Sequence, residues 1–533
     1  MNPAHRARRT GRPLALALTV LTTASLAACT ALSGPAPDDG KAAGERTEAA
    51  ARPELKRFYG QKLTWKKCGD LRCARLTVPM DYAHPENGRT FVLPVAKAAT
   101  ADPDDRVGSL VYNPGGPGSS GVSDLKSDGG EVFSATVRDR FDIVSFDPRG
   151  VGGSVPAVKC AETEDEEDAA GDDDGPEPIA PRTGPDRARA LADADEQAAA
   201  CARGSRAVLP HVGTEDAARD LDVLRAALAD RKLTYLGWSY GTSLGTSYAE
   251  QFPHRVRALV LDGAVDPSLD WRQRALSQGT GFRRAVEEYA ESCADIAGDS
   301  CPGSDPAEIS ALIEELYERA AREPLPVSDE DEEAYDVDAR TLLDVVTGAM
   351  YSPEDDWEDL SQALGAAYDG DATELSRMAE SDGEQASRAS RAATGTGNDD
   401  DAIIAVNCLD VPHPRTPGPY WKALGAAGKA AGVYGTSSVV DELTCKNWPS
   451  AGAQRPHRVN APGVPPVLVV GTTGDPATPY EEAESLAGQF PGGMLLTYEG
   501  VGHTAYGRSN ACVTHAVDRY LIDLKRVRPR KSC

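Results

Sequence analysis

Apolar positions along this chain fall into short unbroken runs, separated by segments whose apolar residues recur with helical period. The runs lie at 108–112 (GSLVY), 141–147 (FDIVSFD), 233–236 (LTYL), 257–262 (RALVLD), 466–471 (PVLVVG) and 494–498 (MLLTY). Unbroken runs of this length fit strands covered on both faces, as in a parallel sheet. Before them, CARLTVPMDY and TFVLPVAKA read as two strands joined by the turn HPENG. The segment 214–229 (TEDAARDLDVLRAALA) has helical period, with Thr214 as its expected cap. The segments 281–298, 307–323 and 339–350 also have helical period, and acidic loops flank them.

One apolar run leads directly into chemistry. LTYL is followed by GWSYG and then by a helix-like segment, the order expected of a nucleophile elbow centred on Ser239. Gly237 and Gly241 would leave room for the sharp strand-to-helix turn. An overlapping match, GTSLG around Ser243, falls a turn inside the following helix. A serine hydroxyl needs a base, and the base needs an acid to orient it. In a sheet of this kind the order is serine, acid, histidine, each after a strand. Asp475 follows the 466–471 run, and His503 follows the 494–498 run. His254, His413, His457 and His515 lack that strand context. An oxyanion would need amide donors, and the loop after 108–112 is rich in glycine. The amide of Tyr240, next to the nucleophile, is the expected second donor. The loop lacks the GK(S/T) ending of a phosphate-binding turn.

Together NPGGPG (113–118), FDPRGVGGS (146–154), GWSYGT (237–242), AVNCLD (405–410), GDPATPY (474–480) and GVGHT (500–504) resemble the secreted tripeptidyl aminopeptidases. These are serine peptidases of the prolyl-aminopeptidase-like group, of actinobacterial type, in the α/β-hydrolase superfamily. The resemblance runs from about residue 63 to the end of the chain. It implies an α/β-hydrolase fold with Ser239 as nucleophile, His503 as general base and Asp475 as the orienting acid. It also implies Gly116 and Tyr240 as oxyanion donors, and no metal or organic cofactor. The acidic stretch 161–181 is longer than the family pattern needs and reads as a solvated loop.

Between Ser239 and Asp475 the chain is about four times longer than the roughly 60 residues that two strand-plus-helix steps require. The surplus, 271–460, is expected to be a helical lid. It divides a hydrolase core into 56–270 and 461–533.

The first residues read as an export signal, with arginines at 6, 8, 9 and 12 and an apolar run at 14–26. LAAC, ending at Cys29, resembles a lipoprotein processing site. This implies a signal peptide 1–29, a polar linker 30–55 and a membrane link only through lipid on Cys29. Removing Cys29 from the eleven cysteines leaves an even number, as a disulfide-bonded exported protein would have. Near neighbours pair as Cys68 with Cys73, Cys160 with Cys201, Cys293 with Cys301, Cys408 with Cys445, and Cys512 with Cys533. No CxxC spacing suggests a metal cluster. The net charge of −27, from 56 basic and 83 acidic residues, disfavours nucleic acid and anionic membranes as partners. Acidic runs at 328–336 and 398–401 are expected to be solvated surface.

The expected activity is a secreted or surface-anchored, monomeric serine exopeptidase that removes short peptides, tripeptides by the resemblance, from free N-termini. A carboxylesterase using the same three residues is the alternative, because the motifs do not read the leaving group. A non-enzymatic binding lipoprotein is a third. A free α-ammonium group needs a buried carboxylate, and Asp410 and Glu442, near the proposed Cys408–Cys445 bridge, are the candidates.

Overall fold

The computed structural model describes residues 52–160, 179–328, 337–379, 398–450, 455–528 and 531–533. The export signal with Cys29, nearly all of the linker, most of the acidic stretch 161–181 and all but Ser328 of the run 328–336 lie outside these residues. Among the described residues no helix is long and apolar enough to cross a membrane.

The strands are β1 (Lys66–Cys68), β2 (Leu71–Pro79), β3 (Thr90–Ala98), β4 (Gly108–Asn113), β5 (Phe141–Phe146), β6 (Leu233–Trp238), β7 (Val256–Asp262), β8 (Leu468–Gly474), β9 (Met494–Val501) and β10 (Lys531–Ser532). Among the described residues these ten form one sheet, in the order β1-β2-β3-β5-β4-β6-β7-β8-β9-β10. The pairs from β1 to β5 through β3 are antiparallel, and every later pair is parallel. Every residue of β4, β5 and β6 is buried, which explains their unbroken apolar runs.

Among the described residues the α-helices of eight or more residues are α1 (Gly121–Asp128), α2 (Gly184–Ser205), α3 (Thr214–Ala227), α4 (Tyr240–Gln251), α5 (Trp271–Ile296), α6 (Pro306–Ala320), α7 (Ala339–Gly348), α8 (Pro353–Asp369), α9 (Asp399–Asp410), α10 (Gly418–Asp441), α11 (Tyr480–Gln489) and α12 (Ala511–Asp523). Helices α5 to α10 all fall between β7 and β8, where the surplus length sits. Asp270, Asp305 and Asp338 cap α5, α6 and α7 by accepting backbone amides of the first turn. A separate apolar cluster joins α5, α6, α7 and α8 through Tyr289, Leu316, Leu342 and Trp357. This helical insertion thus has a core of its own beside the sheet.

Two local expectations change. Thr214 does not cap α3: Gly213 holds the cap position, and the carboxylate of Asp410 accepts the Thr214 amide at 2.8 Å. The run 398–401 is not simply solvated. Asn398 is buried, accepts the Gly152 amide and donates to the Gly150 and Val158 carbonyls, while Asp401 accepts the Cys160 amide. Acidic residues suit the first turn of α9, where unpaired amides give a positive end.

All five neighbour cysteine pairs are bonded. Disulfides of this number suit an oxidising compartment outside the cytoplasm.

Candidate active site

Ser239 sits between β6 and α4 with φ 53° and ψ −122°. A non-glycine residue held there costs about 1–3 kcal/mol, a strain typical of functional turns. The flanking glycines are required by close approach. A Cβ on Gly237 would lie 2.2 Å from the Gly241 carbonyl oxygen, and one on Gly241 would lie 2.8 Å from that of Asn113. Ser243 lies inside α4, as its position in the sequence suggested.

Asp475 follows β8, and His503 follows β9. His503 Nδ1 lies 2.9 Å from Asp475 Oδ1 and 3.1 Å from Oδ2. The carboxylate also accepts the amides of Ala477, Thr478 and Thr504 and the hydroxyl of Thr478. Those donors fix its plane and, through it, the imidazole. The other ring nitrogen, Nε2, is buried and has no hydrogen-bond partner among the described residues. Gly263 brings the two halves of the site together. A Cβ there would touch His503 Cε1 at 3.1 Å, and the carbonyl of the preceding Asp262 accepts the Ser239 amide at 2.9 Å. A histidine whose outer nitrogen is available beside a strained serine can remove the hydroxyl proton.

The glycine-rich loop after β4 reaches the nucleophile. A Cβ on Gly115 would lie 3.0 Å from Ser239 Cβ. The Gly115 amide is held by Asn113 Oδ1 at 3.2 Å, and Gly116, the expected donor, is the next residue of the same loop. Tyr240 is the first residue of α4, and amides of a first turn have no intrahelical acceptor. Gly116 and Tyr240 can thus supply the two N–H groups.

Several residues that support the site carried no local signal in the sequence. Asp262, at the end of β7, accepts the amides of Ala505 and Tyr506 and so fastens the loop after His503. Burial pushes its carboxyl up to about 6. Tyr351, from the insertion, accepts the His503 amide on its carbonyl at 3.0 Å, and its ring meets the imidazole edge-on at 5.1 Å. Tyr351 is 37% exposed, and desolvation with the Asp475 charge pushes its phenol up to about 12. Arg149, from FDPRGVGGS, is fully buried in a bidentate pair with Asp220 and donates to the Pro79, Met80 and His211 carbonyls. That motif builds the scaffold.

Asp410 and Glu442 lie in one neighbourhood, because both feel the charge of Arg274. Their settings differ. Asp410 receives the Thr214 amide and, at 2.5 Å, its hydroxyl. That threonine oxygen is 2.6 Å from the Tyr240 phenol, which therefore donates to it. Among the described residues Glu442 pairs only with the His413 ring, with Nε2 at 3.3 Å. Desolvation pushes Asp410 up to about 6 and Glu442 up to about 8, and holds His413 down to about 4. His413, Glu442 and Cys445 come close enough to suggest metal ligands, as do Cys160, Cys201 and Asp401. The cysteines of both groups are already in disulfides, which removes their thiolates.

A mostly parallel sheet with a strained serine at the elbow after β6, and an acid–histidine pair after β8 and β9, defines an α/β-hydrolase. The chain belongs to the family of serine hydrolases with that fold. Residues 108–320 match the family described as alpha/beta hydrolase fold, and 431–533 match the one described as TAP-like protein. It is similar to "Serine protease Hip1" of Mycobacterium tuberculosis, 37% identical over 89% of this chain and 90% of that protein. "Carboxylesterase B" of the same species is 36% identical, covering 85% and 84%. "Tripeptidyl aminopeptidase" of Streptomyces lividans is 33% identical, covering 86% and 82%.

Proposed function

We propose that this protein is an exported exopeptidase that releases short peptides, tripeptides among them, from free N-termini through an acyl-enzyme. The carrying observation is the His503–Asp475 pair, with Nε2 unpartnered beside the Ser239 elbow. In this reading His503 takes the Ser239 proton as the oxygen attacks the scissile carbonyl. The amides of Gly116 and Tyr240 receive the negative charge that develops on the carbonyl oxygen. His503 then gives the proton to the leaving amine, and water attacks the acyl-enzyme by the same route in reverse. Asp475 holds the imidazole tautomer and offsets the charge of the imidazolium.

The helical insertion serves as the lid, and Tyr351 is its contact with the histidine. For the substrate's ammonium group we favour Glu442 over Asp410, because both oxygens of Asp410 are already engaged. Cys29 carries the lipid that keeps a monomeric enzyme at the outer face of the membrane, so Cys29→Ser sends it to the medium. A relative named carboxylesterase supports a second reading, ester hydrolysis by the same residues.

The test compares a tripeptide amide substrate, its N-acetylated form and a simple ester. The exopeptidase reading expects N-acetylation to cost at least about tenfold in kcat/KM, with Glu442→Gln erasing most of that preference. Equal turnover of free and acetylated peptides would remove the exopeptidase assignment, and turnover of the ester alone would establish the second reading.

A further inference from the structure

An open cleft runs along the outer face of α4, walled by the first turn of α5, the end of α9 and residues 455–457. Its hydrogen-bonding groups are unbalanced. The carboxylates on its walls are in use: Asp410 is held by Thr214, and Glu250 accepts from the His457 ring and the Asn460 amide. The donors are not. Arg274 and Arg455 have no ion-pair partner among the described residues, and Arg274 Nε is buried without a hydrogen-bond partner. Thr246, only 2% exposed, lines the same cleft with its hydroxyl equally unpartnered. A protein of net charge −27 thus holds a guanidinium without an ion-pair partner beside a buried free hydroxyl in one recess.

We propose that this cleft binds the carboxylate of a short peptide, held by the Arg274 guanidinium and the Thr246 hydroxyl, as a site separate from the Ser239 hydroxyl. A planar guanidinium fork matches a carboxylate, and burial strengthens the pair. The charge of Arg274 already reaches Asp410, Glu442 and Glu482, none of which pairs with it. The cleft is lined from Tyr240 to Glu250 along the helix, roughly 15 Å. That is the span of about four extended residues, too long for an isolated carboxylate. One end is Tyr240, tied through Thr214 to Asp410 on the wall, so the site adjoins the elbow.

The test needs no catalysis and so stands apart from the peptidase reading. The full chain carrying Ser239→Ala is titrated calorimetrically with N-acetyl-trialanine acid, with its C-terminal amide, and with inorganic phosphate. The acid is expected to bind at least tenfold tighter than the amide. Arg274→Gln removes that difference, Arg274→Lys keeps part of it, and Thr246→Val lowers acid affinity severalfold at an unchanged melting temperature. Equal binding of acid and amide overturns the proposal, as does a difference that survives Arg274→Gln, which would place the peptide at the catalytic serine. Phosphate binding tighter than the acid through Arg274 would overturn the carboxylate assignment.

Discussion

Ser239 is held in backbone strain while Ser243 rests inside a helix, so two overlapping GxSxG matches should behave differently. Ser239→Ala is expected to abolish labelling by a fluorophosphonate probe and to lower turnover by a factor on the order of 10⁴ or more. Ser243→Ala should leave labelling intact, and strong residual labelling of the Ser239 variant would move the nucleophile elsewhere. The Asp262 carboxylate hydrogen-bonds to neither the Ser239 hydroxyl nor the imidazole, but it fastens the backbone just after His503. Asp262→Asn should therefore lower kcat roughly tenfold with KM little changed, since it disturbs alignment and not binding. A normal kcat in a folded Asp262→Asn protein would remove that positioning role. The elbow was legible because its glycines answer a local steric demand written into five consecutive residues. Asp262 and Tyr351 were not, because each acts across strand ends or from the insertion, where sequence distance conceals proximity.

Helix starts show the same division between local and distant causes. Asp270, Asp305 and Asp338 cap their own helices and could be read in sequence, whereas α3 takes its cap from Asp410, far along the chain. Thr214 therefore looked like a cap and is instead the capped residue. Asp410→Ala would leave the Thr214 amide and hydroxyl without their acceptor, and should cost about 1–3 kcal/mol in urea unfolding. Unchanged stability would show that water replaces the carboxylate at no cost. The strand runs were found, but β8 and β9 extend to Gly474 and Val501, beyond their apolar stretches, because pairing with a neighbour carries on after burial ends. β10 had no sequence signal. It is two residues long and is held by the Cys512–Cys533 bridge, the Cys533 amide on the Thr497 carbonyl, and Asn510 on the Cys533 carbonyl. Cys533→Ser should lower stability by roughly 2–5 kcal/mol and loosen the segment that follows His503. Unchanged melting and activity would disconnect the chain end from the site.

Across the whole molecule, the acidity that composition assigns to a solvated surface also reaches the interior. Burial raises Glu442 to about 8, Glu482 to about 7, and Asp410 and Asp262 to about 6, while His413 is lowered to about 4. A carboxyl raised on folding contributes stability that is full below its unfolded value and lost as pH rises through the folded one. The lowered histidine works in the opposite sense, contributing stability above its unfolded value that is lost as pH falls toward 4. Above about pH 6.5 the His413 contribution is complete, so Glu442 and Glu482 should dominate this set between pH 6.5 and 8.5, and stability should fall across that interval. Glu442→Gln removes one of these groups while leaving an amide to meet the His413 ring. It should flatten the decline by about 2 kcal/mol, the cost of ionising over some 1.5 pH units. Urea unfolding of both proteins at pH 6.5 and 8.5 measures the difference directly. Parallel declines in the two proteins would mean that Glu442 is already ionised at pH 6.5, and would remove the desolvated carboxyl on which the proposed recognition of a substrate ammonium group depends.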